Sequence, residues 1–169
     1  HSKNSSAKNV TFSVNGSQKS YCESLLKGEN STAENYFAIL GKEKECIDLT
    51  VNSVHNAKRT SSKTHSKACL WDSSDAVFRG GIIVTKKGSQ SVSSLYGNAL
   101  LVGDNAKAHE VPLLDIKNND VQAAHGASAG KIDVEDLFYV ESRGLLEDEA
   151  KKLFSLAFLN PVLEKSFNP

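Results

Sequence analysis

The 169-residue sequence has no methionine, three prolines, three cysteines, one tryptophan and an aromatic content of only 7%. Each scarcity removes a class of protein. No apolar run approaches the roughly 20 residues of a membrane span, and the N-terminal stretch HSKNSSAKN lacks the hydrophobic core of a signal peptide. A cytoplasmic chain without a membrane partner is therefore expected. Net charge is also missing, since 20 basic residues balance 20 acidic ones, so no overall field draws the chain to nucleic acid. Cys22, Cys46 and Cys69 are odd in number, widely spaced and without a CxxC pair, which argues against a zinc site or a disulfide framework. They are expected in or near the core. With no methionine, the chain is expected to be an N-terminally truncated fragment. No P-loop, dinucleotide fingerprint, G-x-S-x-G or H-E-x-x-H is present, so no enzyme is expected.

What is present is enough apolar residue, 39%, for one domain with a real core. From Asn9 to about Ala124, short apolar runs recur between turn signals. Val10-Thr11-Phe12-Ser13-Val14 and Ile47-Asp48-Leu49-Thr50-Val51 alternate, so each can send one row of side chains inward. Val77-Phe78, Ile82-Ile83-Val84, Leu100-Leu101-Val102, Val111 to Leu114 and Ile116 continue the series, punctuated by Asn15-Gly16, Lys27-Gly28, Lys87-Gly88 and Asn118-Asn119-Asp120. Many short strands without helical crossovers fit a sandwich or a solenoid equally well.

The C-terminal part reads as helical. Asp133 is a good N-cap, and Ile132 and Leu137 stand at the positions of a hydrophobic staple, so a helix starts at Val134. Gly144 supplies a left-handed stop, with Arg143 in the last turn. A second helix opens on Glu147, Asp148 and Glu149 and carries Ala150, Leu153, Phe154, Ala157 and Phe158 on one face. Asn160-Pro161 is expected to end it before a short last turn. The division predicted is a strand-built core over 1–124 and a helical region over 125–169.

Several segments together resemble the SufB/SufD family of iron–sulfur cluster assembly scaffolds. AHGASAGKIDVEDLFYVESRGLLEDEA, from Ala124 to Ala150, is similar to the family's C-terminal signature, and its His125-Gly126-Ala127 is closer to the SufD form. His55 to Ser62, then Ser66-Lys67, then Ala76 to Gly80 follow the family pattern H-x-A-P-H-T-x-S, S-K and x-V-F-x-G, with Lys58-Arg59 in place of the usual Pro-His. The stretch LLVGDNAKAHEVP, from Leu100 to Pro112, is similar to the next block.

The resemblance implies a mainly β fold, a right-handed parallel β-helix (solenoid) followed by a C-terminal α-helical hairpin. It implies a SufD-like scaffold that pairs edge to edge with a SufB-like subunit, or with a second copy as a homodimer, and docks the ABC ATPase SufC. His125 becomes the candidate ligand for a transient iron–sulfur cluster shared with the partner subunit, with space left beside it by Gly126 and Ala127. Ala123 and Gly97 stand where SufD and SufB carry cysteines, so no cluster is expected to be held stably by this chain alone. Flavin involvement is left open. Phe138, Tyr139, Arg143, Gly144, Glu149, Leu153, Phe154 and Phe158 are the candidate partner-binding residues. His55, His65 and His109 are expected to be solvated or hydrogen-bonded imidazoles. Two other classes compete: a homodimeric β-helix binding module without cofactor, and a polysaccharide-processing β-helix enzyme. The second would need an aromatic-lined groove that one tryptophan, Trp71, supplies poorly.

Overall fold

In a computed structural model, residues 3–14 and 16–167 are described; His1, Ser2, Asn15, Asn168 and Pro169 lie outside, and with them the first residue of the expected Asn15-Gly16 turn. The strands are β1 (Ser6–Val14), β2 (Gln18–Leu26), β3 (Thr32–Gly41), β4 (Cys46–His55), β5 (Ser61–Leu70), β6 (Asp75–Val84), β7 (Ser91–Leu101), β8 (Lys107–Ile116) and β9 (Val121–Lys131). Two helices follow, α1 (Val134–Glu141) and α2 (Glu147–Phe167). Each strand pairs in parallel with the strand two along, which gives one sheet ordered β1-β3-β5-β7-β9 and a facing sheet ordered β2-β4-β6-β8. Thr32 lies beside Ser61 and Ser91 beside Val121, so about 30 residues complete one coil of a β-solenoid with about four turns.

Strand alternation sorts the residues into two faces. The inward rows form the core, in which Leu26, Val51, Leu70 and Ile82 are wholly buried and Phe37, Phe78 and Leu95 nearly so. The thiols divide by the same rule. Cys22 packs against the core, Cys69 is buried on the outer face under α2, and Cys46, at an outward position of β4, is exposed rather than in or near the core.

The turns are as regular as the strands. Asn30, Arg59 and Gln90 adopt left-handed backbone in successive coils, and each donates its N–H to a carbonyl of the coil that follows: Lys58, Ser89 and Asp120. Arg59, which stands where the family carries histidine, spends its guanidinium on this stack, with Nε donating to Asn30 Oδ1 at 2.8 Å and Nη2 paired to Glu29.

The hairpin does not close the end of the solenoid. α2 crosses the outer face of β1, β3 and β5, and α1 leans on α2. Val162 packs with Tyr36 and Ala38, Lys67 Nζ donates to the Phe158 carbonyl at 2.9 Å and sits over the Phe158 ring, and Cys69 Sγ reaches the Ser155 carbonyl. The buried face is therefore Ala150, Ser155 and Val162, whereas Leu153 and Ala157 of the expected seam are exposed. Lys67 and Cys69 choose that rotation, and helical periodicity alone carries no information about them. α2 also runs through Pro161 to Phe167 rather than ending there. Proline forfeits one backbone bond, and burial of Val162 just beyond it offsets the loss. Among the described residues no helix is long and apolar enough to cross a membrane.

Leu70 is 0% exposed inside the stacked rows, so Leu70→Ala should lower unfolding stability by about 2–5 kcal/mol in denaturant titrations. A loss below about 1 kcal/mol would show that the interior is not close-packed at this coil.

Candidate functional site

Among the described residues, no coil is stacked on the far side of the last coil, β8 and β9. Its inward rows are consequently half-uncovered: Leu114 is 50% and Ile116 40% exposed, although both continue core columns. Register places His125 beside Leu95 on the inward row of β9, inside the strand. The expected boundary between 124 and 125 accordingly divides a strand that continues to Lys131, because the Ser91–Leu101 ladder of β7 still offers it partners.

Two ionisable side chains face the interior of this coil. His125 Nε2 is buried without a hydrogen-bond partner, and so is one oxygen of Glu110, which stands beside Phe78 on the inward row of β8. Burial holds the His125 imidazole below its usual range and pushes the Glu110 carboxyl up to about 7. The Glu110 carboxylate lies across the interior over Gly97: a Cβ added to that glycine would stand 2.6 Å from both oxygens. Glu110 carried no signal in the sequence beyond its place in the LLVGDNAKAHEVP block. Around the pair the inward positions are small, with Ala123, Ala127 and Ala129 on β9 and Ala108 on β8. No group of three or more histidine, cysteine or acidic side chains converges as a metal site among the described residues.

Gly126 does not leave room for a cluster. It faces outward, and the Tyr96 ring lies 2.7 Å from where its Cβ would be. Tyr96 is the end of an outer column in which His65 lies 6.0 Å from Tyr36 and 5.5 Å from Tyr96 between ring centroids. The glycine is explained by this ring, whereas Ala127 beside it opens onto the interior.

The other motif histidine has a structural role. His55 is wholly buried, with Nδ1 2.7 Å from Thr60 Oγ1 and Nε2 2.9 Å from Ser62 Oγ. Thr60 and Ser62 in turn meet Ser91 and Ser93 of the next coil at 2.7 and 2.6 Å. The H-x-A-x-x-T-x-S pattern thus supplies one closed polar network inside the core, and it joins two coils. His109 lies outside, 3.4 Å from Asp75.

The helices carry the second candidate surface. Asp133 caps α1 by accepting from Glu135 N–H at 2.8 Å. Gly144, at φ +99°, ends it, with Leu145 N–H donating to the Val140 carbonyl and Gly144 N–H to that of Glu141, a Schellman arrangement. Leu146 offers no capping oxygen, but Glu149 accepts its N–H at 3.0 Å, one half of a capping box. Glu149 is therefore a cap. Of the candidate partner-binding residues, Phe138, Tyr139 and Leu153 are exposed, at 69%, 58% and 48%. Arg143 is exposed with its guanidinium over the Tyr139 ring. Phe154 and Phe158 are half-buried, and Phe158 serves the contact with Lys67. Leu146 and Leu156, also exposed, extend the apolar surface.

Comparison with known proteins agrees with this geometry. The family described as "SUF system FeS cluster assembly, SufBD core domain" matches residues 1–158. The chain is similar to the iron–sulfur cluster assembly protein SufD of Escherichia coli, at 32% identity over 82% of this chain and 33% of that protein. It is 30% identical to a SufBD family iron–sulfur cluster assembly protein of Synechocystis over 86% of this chain and 30% of that one. SufD of Bacillus subtilis matches at 26% identity over 83% of this chain. The chain spans about a third of the length of these relatives.

Burial pushes the His55 imidazole down to about 4, against 6.5 ordinarily. The unfolded chain therefore binds the proton first, and the stability contributed by neutral His55 is present above pH 6.5 and lost as pH falls towards 4, by about 3 kcal/mol. Denaturant titrations across that window should show the loss in the natural sequence and a flatter profile in His55→Gln. An unchanged slope in the variant would remove His55 as its source. Glu110 works in the opposite sense: with its folded-state value raised, the penalty for its charge appears as pH rises through the carboxylate range towards 7. Glu110→Gln should accordingly be at least as stable as the natural chain above pH 7, and a lower melting temperature there would contradict this.

Proposed function

The chain belongs to the SufBD core family of the SUF system for iron–sulfur cluster assembly, and from that premise we propose that it is a SufD-like, non-catalytic scaffold subunit working in the cytoplasm. The observation that carries the reading is the uncovered last coil. β9 pairs with β7 on one side only, apolar inward residues stand open to solvent, and a buried imidazole nitrogen has no partner. An open parallel edge invites another strand, and apolar columns that end in solvent are stabilised by continuation into a second solenoid. A SufB-like subunit is the partner that fits, and a second copy of this chain is the alternative the same edge allows.

The iron–sulfur cluster is cargo in this reading. Imidazole is a suitable iron donor, and His125 Nε2 is unspent by the fold. Ala123 and Gly97 contribute no thiolate, so most sulfur ligands come from the partner. The exposed face of Phe138, Tyr139, Leu146, Leu153 and Leu156 serves a SufC-like ABC ATPase, because an apolar helical surface buries its area only by docking. Hydrolysis then occurs on the ATPase, and this subunit transmits its movement to the paired edge. Nucleic acid and membrane have no place in this arrangement.

Pull-down against the SufB-like and SufC-like proteins of the same genome tests the partners. Phe138→Ala and Leu153→Ala should weaken ATPase capture by roughly tenfold or more while circular dichroism stays unchanged. Leu114→Lys should abolish pairing of the solenoids in sedimentation and leave ATPase capture intact. A well-folded chain that binds neither protein but sediments as a Leu114-dependent dimer would replace this reading with the homodimeric module.

A further inference from the structure

The Glu110 carboxyl lies between a closed interior and an open mouth. On the closed side, the atoms nearest the position a Cβ on Gly97 would take are both carboxyl oxygens of Glu110, at 2.6 Å, and its carboxyl carbon, at 2.8 Å. Gly97 has ordinary backbone, so its missing side chain answers to space, and Glu110 fills that space. The carboxyl borders a small cavity there, walled mainly by Phe78, Ile39, Ile47 and alanines, and among the described residues no hydrogen bond reaches its buried oxygen. On the open side, no described strand lies beyond β8, and Leu114, on the same inward row, is 50% exposed. A glutamate side chain has several rotatable bonds, so passage from one side to the other needs no movement of the strand. Charge decides between the two, because an ionised carboxylate is strongly disfavoured where it is buried without a partner. Burial already pushes this carboxyl up to about 7. Among the described residues no other ionisable side chain faces it. Strand alternation sends Asp75 and Arg79 of β6, Lys107, His109 and Asp115 of β8, Tyr96 of β7, and Lys63, His65 and Lys67 of β5 outward, with His109 beside Asp75. On the inward rows, His125 of β9 stands in the Leu95 column, His55 of β4 in that of Leu26 and Val84, and Lys131 pairs with Asp104.

We propose that Glu110 is a proton-operated switch on the pairing of this edge: neutral, it lies back against Gly97 and leaves the mouth uncharged; ionised, it turns out into the mouth and opposes the docking of a second solenoid. The inference rests on the scaffold reading given above. Docking covers the apolar columns at the mouth, and a carboxylate standing among them has to be desolvated or neutralised first. Pairing therefore takes up a proton. The carboxyl is raised in the free chain and raised further in the pair, so affinity is full at lower pH and falls as pH rises through about 7. One linked proton sets the limit of that fall at about tenfold per pH unit.

Two measurements test the switch. On the chain alone, NMR titration of the Glu110 carboxyl carbon should give a midpoint near 7, and Gly97→Ala, whose Cβ displaces only the flexible carboxyl, should return it towards 4.5. An ordinary midpoint in the natural chain, or an unchanged one in Gly97→Ala, would overturn the two positions. Affinity of the full natural chain for its SufB-like partner is then followed from about pH 6 to about pH 8, across which it should weaken by about tenfold. Glu110→Gln should bind throughout as the natural chain does at the acid end, and Gly97→Ala should bind weakly throughout. The natural pH dependence persisting in Glu110→Gln would overturn the switch. Absence of pairing at every pH, in the natural chain and in Glu110→Gln alike, would overturn the scaffold reading and the partner with it, while the titration on the chain alone would still decide whether Glu110 has two positions.

Discussion

A coil of this solenoid cannot bury its own inward row. Its two strands face each other across a thin interior, and each side chain is covered mainly by the side chains of the coils above and below. Column after column shows the dependence: Leu26, His55, Val84 and Ile116 succeed one another in register, and exposure rises from nothing to 40% only at the last of them. Parallel stacking supplies the core, and at β8 and β9, where stacking stops, the core is left open. The location of the candidate site follows, because the coil that lacks a successor holds the unpartnered His125 Nε2 and Glu110 oxygen beside unburied apolar side chains.

The two inward histidines divide along the same line. In the middle coils His55 is enclosed by Thr60 and Ser62, and these are tied to Ser91 and Ser93. A buried histidine tolerated in this way is a structural part. In the last coil His125 and Glu110 occupy equivalent inward rows with no such enclosure. The same residue type on the same face of the same architecture has two roles, set by whether its hydrogen bonds are already made.

Local rules were legible in the sequence and long-range ones were not. The staple and cap at Ile132, Asp133 and Leu137 and the stop at Gly144 depend on neighbours within a turn, and they stand where the sequence puts them. The strand cadence gave many short strands, but solenoid and sandwich share it, and only the resemblance to a family chose between them. His125 was recognisable, while its place inside β9 depends on a ladder with residues some thirty positions earlier. Gly126 suggests space for a ligand, but a glycine does not announce which ring will fill the gap, and Tyr96 fills it from another coil. The rotation of α2 was hidden for the same reason, since Lys67 and Cys69 determine it from more than eighty residues away. Glu110 escaped notice because an isolated glutamate acquires meaning only when the interior around it is seen to be empty of partners.

The attachment of α2 has a mechanical consequence. The helix is fastened through Lys67, Cys69, Tyr36 and Ala38, on the strands of the second and third layers, and makes its contacts with β1, β3 and β5. A load applied to the exposed side of the hairpin enters the solenoid at those layers and must travel through the parallel ladders of β5, β7 and β9 to reach the mouth. Those ladders run along the stacking axis, so a displacement of the hairpin would reach the mouth only as a displacement of the stacked strands between them, α2 making its sheet contacts on β1, β3 and β5.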